Sequence, residues 1–485
     1  MGALIRHRGA LILFGLASIF IFATLLQEAG VYDEGLIVSG AERILRGQHP
    51  YVHFNSGYPP GQFYTIALVF RVFGVSLTAE RIWDSLWRLG IVVAAFWLCR
   101  ELAGKHLRWV PVACCLALVG GTGYRLYPLI TATLPFLCAV ACALVFQRTR
   151  LPSWIFGAGL LLGVTALYRH DLAVCAGVAM LWLVWGDRRA TAWLTAGVVM
   201  VVGPAAVYLL KTIPHHILWQ TFIVFPKVNA AARHLPITNP PGSFVRNLLL
   251  PSVIVALTVF QVRRAPAEVR TRTIAVAALA LLTTFLATQR LDAMHTFPAV
   301  LLCVILLASF SPSSLAGRFV VVIAVLLYGI LPLLEWTDEL RWVWNVPAAA
   351  VARAGRVRIP RAQAQAVQYI QQRLPVGEPL YVGVTSHSRI SYNDALFAFL
   401  ADRPQATRFD MWVPGETNTI SAQAEIVLAV DRERVRFIVL FDPRPLGEAN
   451  LSAVDSGVRL LDDYLTRRYQ LVAVFGRYRI LERTT

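Results

Sequence analysis

The sequence predicts a polytopic α-helical membrane protein of about eleven transmembrane helices, ending in a C-terminal extracytoplasmic α/β domain. Three observations predict it. The chain of 485 residues is 57% hydrophobic and only 15% charged, too apolar for a water-soluble protein of this length. Its apolar residues fall in long runs separated by short basic stretches. Near residue 335 the character changes, as charge becomes common and the apolar runs shorten to strand length.

A spanning helix needs roughly 20 apolar residues, with about 17 to 25 tolerated. The runs that approach this length are 10–27, 84–100, 109–124, 128–146, 153–168, 172–186, 191–210, 248–262, 273–289, 296–310 and 318–334. Arg6 and Arg8 ahead of the first run would suit a signal peptide. The apolar region is long, however, and no small-x-small cleavage site follows, so an uncleaved anchor is expected. The seven cysteines all lie inside apolar runs, which marks them as small core residues rather than a disulfide framework or zinc site.

A net charge of +17 raises nucleic acid as a partner, but much of the arginine sits in short clusters between apolar runs, so no nucleic-acid partner is expected. Lys and Arg in short loops are retained on the cytoplasmic side. The basic loops hold Arg100, Lys105 and Arg108, then Arg148 and Arg150, then Arg188 and Arg189, then Arg263, Arg264, Arg270 and Arg272. Arg6 and Arg8 share their side, which puts the N-terminus in the cytoplasm and, after an odd number of spans, the C-terminal domain outside. The expected division is a transmembrane domain over 1–335, with outer loops 28–83 and 211–247, and a soluble α/β domain over 336–485.

This topology gathers the unusual residues on the outer face. A transporter would carry polar groups near the bilayer midplane, and the predicted spans are nearly free of charge there. In the first loop, Asp33 and Glu34 follow the first span and precede a probable helix over 36–45, with Gly57-Tyr58-Pro59-Pro60-Gly61 beyond. A partly desolvated carboxylate can take a proton from a hydroxyl; equally, acidic residues favour the N-terminal dipole of the helix they open. The apolar stretch 62–73 is short and contains Arg71, so it is expected to lie along the membrane surface. Arg81, Asp84 and Arg88 share one helical face, as phosphate ligands or as a salt-bridged anchor. Tyr168-Arg169-His170-Asp171 interrupts an apolar run with groups that can donate to phosphate. Arg290, Asp292 and His295 form a second such cluster, where Asp292 can orient either neighbour and Arg290 can equally snorkel. Lys227, in the 211–247 loop, is a further candidate for a phosphate contact.

An acidic pair just after the first span, a Tyr-Pro-Pro-Gly turn, surface-lying loop helices, about eleven spans and an outer C-terminal domain together resemble the GT-C membrane glycosyltransferases. The bacterial branch of the protein O-mannosyltransferase and lipid A aminoarabinose transferase group is the most similar, over roughly residues 1–335. The resemblance implies transfer of a hexosyl or pentosyl unit from a polyprenyl-phosphate carrier to a lipid, protein or polysaccharide acceptor at the outer face of a bacterial inner membrane. It implies Asp33 as the catalytic base of an inverting displacement and Glu34 as its helper in positioning acceptor or sugar. Donor-phosphate or substrate contacts are then expected among Tyr58, Arg81, Arg88, Arg169, His170, Asp171, Lys227, Arg290, Asp292 and His295. No cofactor is expected, a divalent metal being possible in the superfamily but not favoured by these spacings. The alternative is a non-catalytic polyprenyl-lipid or glycan carrier or assembly protein of the cell envelope.

Beyond 335 the pattern predicts helices over 360–374, 394–400, 422–432 and 459–468, strands over 379–384 and 435–441, and a terminal strand pair over 469–481. No Gly-rich phosphate loop or nucleophile elbow follows a strand, so no catalytic chemistry is assigned there. Ser386–Arg389 and Asn393-Asp394 follow the first strand, where α/β folds often bind ligands; a structural cap is the default.

Overall fold

A computed structural model describes residues 2–102, 109–238, 242–310, 315–346, 349–389, 392–412, 417–443, 448, 450–451 and 454–484, with side chains from Leu11 onward. Lys105, Arg108 and the side chains of Arg6 and Arg8, on which part of the predicted orientation rests, lie outside the described residues.

Each predicted apolar run contains a helix, although the helices of the runs at 10–27, 109–124, 172–186 and 273–289 end two to four residues before the predicted bound. Six helices among the described residues are long and apolar enough to cross a membrane: Leu77–Leu102, Pro128–Thr149, Arg188–Thr212, Val245–Val262, Ala267–Ala287 and Leu315–Asn345. The others, Leu11–Ala23, Trp109–Gly121, Pro152–Tyr168, His170–Leu183 and Phe297–Ser309, are shorter, and the stretch 62–73 forms the helix Gly61–Phe73. Proline opens the Pro128 and Pro152 helices, where its missing N–H costs nothing and its fixed φ suits the first turn. The Pro152–Tyr168 and Arg188–Thr212 helices touch backbone to backbone: a Cβ at Gly159 would lie 2.2 Å from the Leu194 carbonyl oxygen, and one at Gly197 2.4 Å from that of Phe156. Small residues at such a crossing supply the van der Waals contact that substitutes for hydrophobic driving force between helices in lipid.

The chain forms two compact units, each assembled from three segments. One comprises Met1–Leu25, Ile82–Tyr208 and Pro236–Arg341; the other comprises Leu26–Arg81, Leu209–Leu235 and Trp342–Thr485. Most of the two expected outer loops therefore folds with the C-terminal region. The physical reason is apolar surface: Leu36 is buried with Ala395 and Met411, and Tyr32, Tyr58 and Phe225 pack against them. Loops of this size cannot bury such side chains alone.

The second unit contains one four-stranded sheet of β1 (Tyr381–Val384), β2 (Phe437–Phe441), β3 (Tyr469–Phe475) and β4 (Tyr478–Arg483), in the order β1-β2-β4-β3. β1 and β2 are parallel and the other pairs antiparallel. The Ile420–Arg432 helix intervenes between β1 and β2, as a parallel pair requires. Thr419 caps it, its hydroxyl accepting from the Ala422 amide at 3.3 Å. Its face of Ala422, Ile426 and Val430 packs with Tyr381, Val384, Ile438, Leu461 and Leu465, a helix-on-sheet core close to the predicted element order.

Candidate active site

Asp33 and Glu34 occupy the first turn of the Asp33–Leu45 helix, where their charge suits the exposed amides. The adjacent carboxylates have different fates. Glu34 is 1% exposed, and its Oε1 and Oε2 accept from Arg81 Nε at 2.6 Å and Nη2 at 2.8 Å. Oε2 also accepts from the Gly30 amide at 2.7 Å, so this side chain secures the entry to the helix. Arg81 is fully buried and donates further to the Glu28 carbonyl at 3.1 Å. Both are thereby committed to the fold, which argues against Arg81 as a phosphate ligand and against direct substrate contact by Glu34.

Asp33 is half-buried, and its Oδ1 accepts from the Tyr58 hydroxyl at 2.7 Å. Tyr58 is itself fixed: its amide donates to Ser56 Oγ at 3.0 Å, and its carbonyl accepts from the Tyr51 hydroxyl at 2.8 Å. The Tyr-Pro-Pro-Gly turn thus delivers a phenol to the one acidic group of the pair that is not enclosed.

Other aromatic groups share this unit. Tyr32 packs on Tyr392 with ring centroids 4.4 Å apart, and Arg233 lies over the Tyr392 ring and donates to its hydroxyl. Lys227 is exposed on the Phe225–Arg233 helix. His387, Asn393 and Asp394 are at most 1% exposed, so the ligand-binding option for these residues gives way to internal hydrogen bonding. His387 Nδ1 meets Asp462 at 2.6 Å, and its Nε2 meets the Tyr381 hydroxyl at 3.1 Å.

In the helical unit, Asp84 and Arg88 pair at 2.7 Å, and Arg125 Nη1 reaches the same carboxylate oxygen at 3.0 Å. Arg88 also donates to the carbonyls of Val119, Thr122 and Tyr124, and Arg125 to Thr24. At 1% exposure, Arg88 holds helix ends together and leaves the phosphate-ligand set. Arg125 was not singled out from sequence, although an arginine in a short connection between two apolar runs is the signal that would have found it. Arg169 forms a fork with Asp171, Nε at 3.0 Å and Nη2 at 2.5 Å, while His170 is exposed.

Asp292 orients both of its neighbours. Its Oδ2 accepts from Arg290 Nε at 2.7 Å, and its Oδ1 lies 2.7 Å from His295 Nδ1. Burial alone would raise the Asp292 carboxyl, but the hydrogen bonds and charge of His295, with Arg290, hold it down at about 2. His295 Nε2 meets the Tyr127 hydroxyl at 3.0 Å, and Tyr127, just ahead of Pro128, is a member of this cluster that sequence inspection missed. Among the described residues, no three His, Cys, Asp or Glu side chains converge as a metal site would need.

No protein-family model matches the sequence, and no curated protein matches it. Solved structures resemble its fold. ArnT from Cupriavidus metallidurans in the apo state is similar with a TM-score of 0.62 at 14% identity, over 98% of both chains. The same protein bound to undecaprenyl phosphate gives 0.57 at 15% identity, again over 98% of each chain. The mycobacterial arabinofuranosyltransferase AftD gives 0.55 at 14% identity; the match takes in 99% of this chain and 40% of that one. At such identities the likeness is one of fold alone.

Proposed function

We propose that this chain is a GT-C membrane glycosyltransferase that moves a sugar from a polyprenyl-phosphate carrier to an acceptor hydroxyl, with Asp33 as general base. The observation that carries the proposal is the contrast within the acidic pair: Glu34 is enclosed by Arg81, whereas Asp33 is only half-buried, with Oδ1 bound to the Tyr58 hydroxyl. The fold supports it, since ArnT is known bound to undecaprenyl phosphate and AftD is an arabinofuranosyltransferase.

In the proposed step, an Asp33 carboxylate oxygen takes the proton of the acceptor hydroxyl as the hydroxyl's own oxygen bonds to the anomeric carbon. The bond from that carbon to the phosphate oxygen breaks, its electron pair leaves with the polyprenyl phosphate, and the configuration inverts. Charge developing on the phosphate calls for cationic donors. In the helical unit Arg169 and Arg290 are the proposed ones; each is held by an adjacent aspartate, which orients the guanidinium. His170, His295 and the exposed Lys227 are further proposed donors. The reaction is assigned to the outer face of a bacterial inner membrane, with the N-terminus cytoplasmic and the C-terminal region extracytoplasmic. The acceptor, whether lipid, protein or polysaccharide, is one that presents a hydroxyl.

The test is reconstitution into vesicles with radiolabelled polyprenyl-phosphate sugars and membrane acceptors. Label should pass to an acceptor, one polyprenyl phosphate should be released per sugar, and NMR of the product should give the inverted anomer. Retained configuration would refute the single displacement, and absence of transfer from every donor pool would favour the carrier alternative.

A further inference from the structure

The helix that begins at Asp33 is gripped by residues 394–396 of the C-terminal region. The Leu396 amide donates to the Val31 carbonyl at 3.2 Å, two residues ahead of Asp33. The Ser39 hydroxyl donates to the Ala395 carbonyl at 2.7 Å. Between them Gly35 comes so close that a Cβ would lie 2.6 Å from the Leu396 nitrogen, an approach open only to glycine. The grip thus spans both sides of Asp33 along the chain.

One side chain locks the gripping corner. Asp394 is 0% exposed, and its Oδ2 accepts from Gln363 Nε2 at 2.7 Å and from the Tyr478 hydroxyl at 2.8 Å. Its Oδ1 accepts from the Leu396 amide at 3.0 Å. Gln363 lies on the Arg361–Arg373 helix and Tyr478 on β4, so a single carboxylate joins a helix, a strand and the corner. The same Leu396 N–H serves both Asp394 and Val31. Burial pushes the Asp394 carboxyl up to about 6, against the hydrogen bonds of Tyr478 and Gln363. An apolar corner would dock the helix without that unfavourable desolvation; a hydrogen-bonded one fixes where it docks.

We propose that Asp394 is a positioning residue for Asp33, setting the register of the Asp33 helix through the Leu396 amide. The inference rests on Asp33 being the base. A general base works only within about 2.6–3.2 Å of the proton it takes, and a misplacement of about 1 Å can cost on the order of 100-fold in rate. In Asp394→Asn the amide group turns a donor toward one of the three donors the carboxylate accepts from, so the corner loosens.

The experiment uses the full-length protein in vesicles, radiolabelled polyprenyl-phosphate sugars and membrane acceptors, with Asp394→Asn made alone and on Asp33→Asn. Residual release of polyprenyl phosphate is followed over long incubations. Asp394→Asn should lower kcat about tenfold or more while the donor KM stays within about twofold. On Asp33→Asn it should cause no further loss, because it acts only through that carboxylate. Ser39→Ala, which removes one contact to the corner and leaves Asp394 intact, should lower kcat in the same direction; if Asp394→Asn does not fold, this variant and its double mutant decide by the same criteria. Wild-type kcat, or an equal loss on Asp33→Asn, would overturn the proposal. An Asp33→Asn protein with full transfer overturns both the base assignment and this inference; an inactive Asp33→Asn beside a fully active Asp394→Asn overturns the inference alone.

Discussion

Asp33→Asn should lower sugar transfer by about 10²–10⁴-fold, the usual worth of a positioned proton acceptor, leaving a slow residual rate, while the protein folds and inserts as before. The amide is nearly isosteric and can still accept from the Tyr58 hydroxyl through its carbonyl oxygen, so geometry survives and only basicity is lost. The side chain is only half-buried, which keeps the structural cost low. Transfer should be measured alongside the thermal midpoint of the detergent-solubilised protein. Intact transfer would move the base elsewhere; lost transfer together with a collapsed midpoint would make Asp33 a residue of the fold.

Glu34→Gln should behave in the opposite way, as a lesion of stability. Arg81 is fully buried, and the Glu34 carboxylate bonds to its Nε and Nη2. Removing one partner of such a pair leaves an uncompensated buried charge, at a cost of about 3–5 kcal/mol. Glu80, 3.5 Å from Arg81 Nε, offsets part of it and favours the lower end. The replacement amide also weakens the acceptor for the Gly30 amide, now bound at 2.7 Å. Calorimetry or denaturant titration should find the loss in the unit that contains Leu26–Arg81. Replacing both charges by apolar residues, Glu34→Leu with Arg81→Met, should recover much of it. A Glu34→Gln protein of normal stability but lowered transfer would instead restore Glu34 to the substrate site.

These contrasting expectations for neighbouring carboxylates mark where local sequence stops being informative. Capping and catalysis are both legible in Asp33-Glu34, but not which residue does which. The answer depends on Arg81, which lies 47 positions from Glu34 in the chain, and on the Tyr58 hydroxyl, 25 positions from Asp33. Likewise Arg81, Asp84 and Arg88 look like one charged helical face at spacings of three and four. In the fold Arg81 serves Glu34, while Asp84 and Arg88 join with Arg125. The Arg290, Asp292 and His295 cluster was legible because its members lie within six consecutive residues; Tyr127 was not, because it arrives from 168 residues away.

By itself the sequence determined the apolar helices, the α/β pattern after residue 335 and the candidate acidic pair, because periodicity, run length and charge are local properties that the backbone must obey. It also carried the likeness to the GT-C fold, through short motifs in a recognisable order. Only the tertiary structure decided that the 28–83 and 211–247 regions fold largely with the C-terminal region, since composition is read along the chain whereas burial is settled across it. And only it decided that Glu34 is enclosed while Asp33 is not, because desolvation and partner choice depend on which distant groups converge on a carboxylate.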